Sequence, residues 1–101
     1  MTEKELKKKI KFLLSNKGFL WFPGKVKFYE NDIFGVFDYV FYNGSKIDYI
    51  QITTKTNLSH RVNKIINKFR EKLMLPPDNS FVYAWDDKTN EFKIIDLAKT
   101  Q

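Results

Sequence analysis

Residues 33–54 decide how this chain folds, and they read IFGVFDYVFYNGSKIDYIQITT. Two runs rich in β-branched and aromatic residues, 33–42 and 46–54, flank the turn sequence Asn43-Gly44-Ser45. Such runs are typical of β-strands, and a short Asn-Gly connection between them is typical of a hairpin. The stretch therefore predicts two antiparallel strands.

The alternation of side chains along these strands brings Asp38 and Gln51 to one face of the hairpin. A loop at Gly44-Ser45 places Asp38 directly across from Gln51, whereas a loop at Asn43-Gly44 makes them diagonal neighbours. Both registers keep the two side chains together. The polar face then continues with Thr53 and Lys55, and the opposite face carries Phe37, Tyr39, Phe41, Ile50 and Ile52.

Outward from the hairpin, the apolar spacing predicts further helices and strands. One helix is expected over 2–16 and another over 59–74, because apolar residues recur there with helical period. Strands are expected over 19–30, where Pro23 and Gly24 interrupt the pattern, and over 80–85 and 91–97. The order α-β-β-β-α-β-β predicts an α/β fold in which helices flank a mixed central β-sheet.

Composition sets the protein class. The chain has 101 residues, of which 43% are hydrophobic, so we expect one globular domain spanning 1–101. It contains no Cys and a single His, His60, which excludes disulfides and His- or Cys-rich zinc sites. No apolar run is long enough to span a bilayer, and no signal peptide is recognisable. We expect no membrane partner and a cytoplasmic protein, in the host cytoplasm if the chain is viral.

Charge is unevenly distributed. The formal net charge is +6, and residues 1–27 hold eight Lys and two Glu. A basic end beside a neutral body favours a polyanionic partner such as nucleic acid, although a solubilising lysine face gives the same pattern. In the second predicted helix, a basic stripe begins shortly after the hairpin and has the same two interpretations. It consists of Arg61, Lys64, Lys68 and Lys72, with His60 beside it.

The polar face of the hairpin has the ligands of a magnesium site. A carboxylate on Asp38 and an amide oxygen on Gln51 are donors that Mg²⁺ accepts, and a nearby lysine can stabilise charge that develops on a phosphate. The alternative is an ordinary solvated stripe, because strands with one polar face are common.

At these residues the sequence resembles the PD-(D/E)xK nuclease superfamily, which has a restriction-endonuclease-like core and includes archaeal and viral Holliday junction resolvases. That core is a helix, a three-strand meander, a helix and a further strand. Residues 32–38 resemble the family's Asp-bearing strand, and residues 50–55 resemble the strand with the acidic-x-Lys motif. Gln51 stands at the acidic position and Thr53 at the lysine position. Some branches combine this Gln with a following Thr, Asn and basic helix, as in Thr53, Asn57 and Arg61 here.

The resemblance implies roles for these residues. Asp38 and Gln51 would hold Mg²⁺ or Mn²⁺ with the backbone carbonyl of Ile52, Thr53 would support the site, and Lys55 would replace the motif lysine. Glu3, Glu5, Glu30 and Asp32 are further carboxylates whose role stays open. Phosphate contacts are expected from Asn57, His60, Arg61, Lys64 and Lys68.

The sequence therefore predicts an Mg²⁺-dependent endodeoxyribonuclease that hydrolyses DNA phosphodiesters, including branched DNA or Holliday junctions. The resemblance also implies a homodimer. Two alternatives stay open: an inactive nuclease-fold protein that binds nucleic acid, and a protein-interaction module of a virus or mobile element. Trp21, Phe22, Tyr83 and Trp85 are expected in the core rather than as base-stacking platforms.

Overall fold

In a computed structural model, which describes residues 1–23, 25–26, 29–30 and 32–99, the chain begins with helix α1, Glu3–Leu14. Thr2 caps the helix, because its hydroxyl accepts a hydrogen bond from the backbone N–H of Glu5 at 3.2 Å. The helix predicted over 2–16 is thus present with shorter ends. Its buried stripe, at helical spacing, consists of Leu6, Ile10 and Leu14.

Most of the described strands belong to one open mixed sheet. In chain order the strands are β1 (Phe19–Trp21), β2 (Lys25–Val26), β3 (Tyr29–Glu30), β4 (Tyr39–Tyr42), β5 (Ile47–Thr54), β6 (Ser80–Asp86) and β7 (Glu91–Asp96). The five-stranded sheet has the order β1-β4-β5-β6-β7, and β2 pairs with β3 separately. Only β5 and β6 are parallel, while the other neighbours in this sheet are antiparallel.

Helix α2, Leu58–Arg70, connects the two parallel strands, after a short 3-10 helix at Lys55–Asn57. The helix predicted over 59–74 ends earlier, because Leu73 adopts a φ of 58° that an α-helix cannot continue. With the β2–β3 pair set aside, the elements follow the predicted order α-β-β-β-α-β-β. The α/β class and the mixed central sheet are confirmed.

Among the described residues, most buried hydrophobic side chains belong to two clusters on opposite faces of the sheet. The first packs α1 against side chains of β4, β5 and β6, which are Tyr39, Phe41, Ile50, Ile52 and Trp85. The second packs α2, through Ile65, with Val36, Phe37, Val82 and Leu97. Because Ile50 and Ile52 face α1, the alternation along β5 turns Gln51 and Thr53 to the other face.

The strand predicted over 33–42 is wrong in its first half. Residues 33–37 form a tight turn, in which Ile33 bridges Phe37 and the N–H of Phe37 donates to the carbonyl of Ile33 at 3.0 Å. Phe34 and Gly35 have φ angles of 55° and 73°, a left-handed conformation that interrupts a strand. The turn also moves Phe37 into the α2 cluster, away from the face of Tyr39 where the alternation predicted it.

The strand predicted over 19–30 is also wrong in its extent. β1 ends at Trp21, shortly before Pro23, which lacks a backbone donor for a sheet ladder. Trp21 and Phe22, expected in the core, are 59% and 46% exposed, whereas Trp85 is buried as expected. No helix in the described part of the chain is long and apolar enough to cross a membrane.

Candidate active site

The β4–β5 hairpin places Asp38 directly opposite Gln51. Tyr39 pairs with Ile50, and the N–H of Asn43 donates to the carbonyl of Lys46 at 3.2 Å, so the loop is Gly44-Ser45. The first of the two registers left open by the sequence is therefore the observed one. β1 ends at Trp21, opposite Val40, so Asp38 lies two residues beyond the last β1 pair. The carboxylate therefore lies beyond the part of the sheet in which β4 pairs with β1.

The Asp38 carboxylate is held by hydrogen bonds from β5. Its Oδ2 accepts the backbone N–H of Ile52 at 2.8 Å and the side-chain amide Nε2 of Gln51 at 2.9 Å. The same Nε2 donates to the carbonyl oxygen of Ile52 at 3.0 Å. Asp38 and Gln51 are only 8% and 6% exposed. A carboxylate oxygen, a backbone carbonyl and a side-chain amide thus meet at one nearly buried point.

Lys7 on α1 is the cation of this site. Its Nζ lies 4.0 Å from Asp38 Oδ1 and 3.6 Å from Glu3 Oε1. Sequence reasoning did not select Lys7, because it is one of eight lysines in residues 1–27 and only the packing of α1 singles it out. The signal that was available is the Glu3–Lys7 spacing of four residues, which forms an ion pair on one helix flank.

Burial controls the protonation of Asp38. Desolvation raises the pKa of its carboxyl group from 3.8 to about 6. The hydrogen bond from the Ile52 N–H and the positive charge of Lys7 lower that pKa, while the negative charges of Asp32 and Glu3 raise it. Near neutral pH the group is ionised in a poorly solvated place. A cation that approached the carboxylate would therefore gain more than it would at an exposed Asp.

The donors fit a magnesium ion after one local change. Mg²⁺ needs oxygen ligands, yet the group between Asp38 and the Ile52 carbonyl is the Gln51 amide nitrogen. Half a turn about the terminal torsion of Gln51 exchanges Nε2 and Oε1, which would bring three oxygens together. No cluster of three or more His, Cys, Asp or Glu side chains suited to a metal occurs among the described residues. Any metal here would rest on one carboxylate and neutral oxygens.

Thr53 and Lys55, the other predicted catalytic residues, are separated by the end of β5. Thr53 is buried and shares the face of Gln51. β5 ends at Thr54, so the alternation that was expected to carry Lys55 onto this face stops one residue too early. Lys55 Nζ instead donates to Asp86 Oδ2 at 3.2 Å. The structure brings Lys7, rather than Lys55, to Asp38.

The predicted phosphate-binding residues follow the first turns of α2. Asn57 precedes the helix, and Asn57, His60, Lys64 and Lys68 are exposed. Arg61 is half-buried, and its Nε is buried without a hydrogen-bond partner among the described residues. Lys68 Nζ lies 3.5 Å from the carbonyl oxygen of Gly35, in the turn that leads to Asp38. The basic stripe and the carboxylate are thereby linked through that turn.

The remaining carboxylates named from the sequence have different positions. Glu3 is near the site through Lys7, whereas Glu5 lies in the first turn of α1, where its backbone N–H is capped by Thr2. Asp32 is exposed, and its charge acts on Asp38. The side chain of Glu30 lies outside the described residues. Glu3 is therefore the carboxylate that the described contacts link to Asp38, through Lys7.

Comparisons with protein-family models, curated proteins and solved structures gave no match. The roles of the residues above therefore rest on their geometry and chemistry.

Proposed function

We propose that this protein is an Mg²⁺-dependent endodeoxyribonuclease of the restriction-endonuclease-like class. One observation carries the proposal: Asp38 Oδ2 and the Ile52 carbonyl oxygen lie 2.9 and 3.0 Å from the same atom of the Gln51 amide. That atom is the amide nitrogen, and with the amide turned over so that Oε1 replaces it, a carboxylate, an amide and a main-chain carbonyl would offer the oxygen ligands that such a cation requires. Lys7 adds a positive charge beside them.

The arrangement of strands supports the resemblance. Asp38 immediately precedes β4 and Gln51 lies on β5, and these are the second and third strands of the main sheet in chain order. The chain then returns through α2 to β6, which is parallel to β5. This is the helix, three-strand meander, helix and strand order that the resemblance implies. The family's core is proposed on this basis.

Asp38, Gln51 through Oε1, and the Ile52 carbonyl would hold Mg²⁺ or Mn²⁺. The bound ion would activate a water and offset negative charge on the scissile phosphate. Lys7 would stabilise charge that develops on the phosphate oxygens. Thr53, at the position of the motif lysine, cannot do so because its side chain is neutral. Thr53, buried on the same face of β5 as Gln51, would support the site. Asp38 must be ionised to bind a cation, which its pKa of about 6 permits at neutral pH.

DNA would contact the protein along α2. His60, Arg61, Lys64 and Lys68 offer donors to phosphates, and the net charge of +6 favours a polyanion. The Nε of Arg61 is buried and has no hydrogen-bond partner among the described residues, so a phosphate oxygen would satisfy this donor once the side chain turned outward. The proposal includes a homodimer, as the resemblance implies, because two sites suit the symmetry of a four-way junction.

A second candidate function is nucleic-acid binding without cleavage. The Gln51 amide already satisfies both Asp38 and the Ile52 carbonyl, so the polar cluster is complete without a metal. Thr53 at the usual lysine position points the same way. This candidate shares the basic stripe of α2 with the first.

A cleavage assay with matched aspartate variants tests the proposal. Labelled linear, flapped and four-way DNA is incubated with Mg²⁺, Mn²⁺ or EDTA and with wild type, Asp38→Ala or Asp86→Ala. We expect metal-dependent cutting by wild type and Asp86→Ala, and no cutting by Asp38→Ala although it still binds DNA. Binding without cutting by all three proteins, at concentrations that saturate the DNA, would favour the second candidate.

A further inference from the structure

A concave surface lies on the far flank of α1 from Lys7. It is a groove of about 680 Å³ between α1 and the β6–β7 pair. At 100° per residue, Lys7 and Lys11 share one flank of the helix, while Lys9 and Phe12 share the other. The contacts agree, because Lys11 Nζ lies 4.2 Å from the centre of the Phe22 ring and Lys9 Nζ lies 4.8 Å from that of Trp85. The groove is thus separate from the Asp38 site.

The floor of this groove is aromatic. Tyr83 and Phe92 have ring centroids 6.1 Å apart, and Phe92 meets Trp85 edge-on at 5.1 Å. Trp85 is nearly buried and covered by Lys9, whereas Tyr83 and Phe92 are half-buried. Phe12 stands at the wall and is 79% exposed. Aromatic side chains that are partly or largely exposed therefore line this surface.

The rim of the groove is basic. Lys8, Lys9 and Lys17 line it, with Glu91 as the carboxylate among the lining residues. Among the lining residues three ammonium groups stand against one carboxylate, with the Asp87 carboxylate at the Trp85 end, where its Oδ1 accepts from Trp85 Nε1 at 2.7 Å, and this balance favours a positive potential over an apolar floor. The occupant that fits must therefore carry negative charge together with flat or apolar groups.

We propose that this groove binds single-stranded nucleic acid. Phosphates would lie against the lysines while unpaired bases stack on the aromatic side chains, the combination that single-strand-binding surfaces use. In a duplex the bases are stacked inside and cannot reach the rings. A second copy of this chain docked groove to groove would place the same lysines against each other, which disfavours self-association through this surface. The inference goes beyond the proposed function, because the groove would bind a strand even if Asp38 cleaved nothing.

The chain offers a matched pair of variants for the test. Phe12 and Phe19 are both 79% exposed, so neither substitution to Ala should disturb the core, and only Phe12 lines the groove. Binding of fluorescent oligo(dT) and oligo(rU) is measured by anisotropy in EDTA, where no cleavage occurs. We expect Phe12→Ala to weaken binding about tenfold, since stacking contributes that much per base, and Phe19→Ala to leave it unchanged. Comparison of the two oligonucleotides decides between DNA and RNA as the source of the strand.

Substitution of two rim lysines tests the contribution of the basic rim. We expect Lys8→Gln and Lys17→Gln each to reduce the slope of log K for oligonucleotide binding against log salt concentration by about 0.7. Lys93→Gln is the control, because Lys93 pairs with Ala84 and lies on the other face of the sheet from Phe92. An equal loss in all three lysine variants would mean general charge attraction and would overturn the proposal.

Two further outcomes would also overturn it. One is that Phe12→Ala binds each oligonucleotide as tightly as Phe19→Ala does. The other is tight binding of an acidic amphipathic peptide of Glu and Leu that the oligonucleotide does not displace, which would make the groove a protein-docking site. Asp38→Ala separates this proposal from the catalytic one, since we expect it to bind the oligonucleotide as wild type does while cutting no DNA.

Discussion

Two aspartates of this protein, Asp38 and Asp86, each lie beside a lysine, but the pKa values of their carboxyl groups are shifted in opposite directions. Asp38 faces Lys7 at 4.0 Å, yet burial raises its pKa to about 6. Asp86 faces Lys55 at 3.2 Å, and its pKa is lowered, first by the backbone N–H of Lys88 and then by the hydrogen bond from Lys55. Both pairs consist of an aspartate and a lysine, yet the aspartate pKa is raised in one pair and lowered in the other.

The difference shows that a neighbouring lysine does not by itself define a functional carboxylate. Asp86 has more than one good donor and keeps its charge at little cost, which is typical of an ion pair that anchors a turn. Asp38 keeps its charge against desolvation, which is typical of a group that awaits a cation or a proton. Lys55 therefore belongs to the structural pair, and Lys7 belongs to the candidate active site.

The largest expected effect separates the two lysines. We expect Lys7→Gln to lower the rate of DNA cleavage by about 100-fold or more, because it removes the charge beside Asp38. Lys55→Gln should change the rate by no more than about threefold, since an exposed ion pair contributes little. Single-turnover cleavage with saturating protein measures both, and DNA affinity in EDTA separates a catalytic loss from a binding loss. A greater loss in Lys55→Gln than in Lys7→Gln would return the charge role to Lys55.

The pH dependence of stability tests the buried carboxyl group. Its folded-state pKa lies above the unfolded value of 3.8, so the folded state binds the proton more tightly, and stability is lost as the pH rises through about 6. Relative to Asp38→Asn, the free energy of unfolding of wild type should fall by about 3 kcal/mol at most between pH 3.8 and about 6. Urea unfolding from acid to neutral pH in EDTA measures the difference. A difference that is constant with pH would mean that Asp38 is well solvated.

A third change tests whether position 51 holds a metal. Glu in place of Gln51 adds a second negative charge beside Asp38, so we expect Gln51→Glu to lower the Mg²⁺ concentration for half-maximal cleavage about tenfold. In EDTA the same variant should be less stable than wild type at neutral pH, because two carboxylates would repel each other. An unchanged metal dependence would exclude Gln51 as a ligand.

The smallest effect is expected at the other aspartate. Asp86→Asn removes a carboxyl group whose pKa is lowered, so its stabilising effect is present above the usual aspartate range and is lost as the pH falls through the lowered pKa. We expect a slightly lower Tm at neutral pH, no difference at low pH, and unchanged cleavage. A pH profile of Asp86→Asn that resembles that of Asp38→Asn would abolish the distinction between the two pairs.

Much of the hairpin could be predicted from local sequence. Asn43 and Gly44 specify a tight loop, and the period of two then fixes that Asp38 and Gln51 share a face in either register. The structure selects the register with Asp38 opposite Gln51. Residue types alone sufficed because every interaction that decides this pairing is local.

The parts that sequence reasoning missed depend on contacts between distant segments. The left-handed turn at Phe34 breaks a run that reads as a strand, because packing of Phe37 on the α2 side outweighs strand propensity. Lys7 reaches Asp38 only because α1 packs across the sheet, and its four-residue spacing from Glu3 does not single it out, since Glu5 and Lys9 have the same spacing. The end of β5 one residue before Lys55 is likewise set by the start of the crossover to α2.

Site-specific metal binding distinguishes a metal ligand at Asp38 from a buried carboxylate that holds no ion. Mn²⁺ is titrated into isotope-labelled wild type and Asp38→Ala, and paramagnetic broadening is followed in the amide signals by NMR. We expect the backbone N–H of Ile52 and the side-chain amide of Gln51 to broaden first in wild type and to be spared in Asp38→Ala. Broadening spread over exposed carboxylates such as Asp86, and identical in both proteins, would contradict a metal site at Asp38.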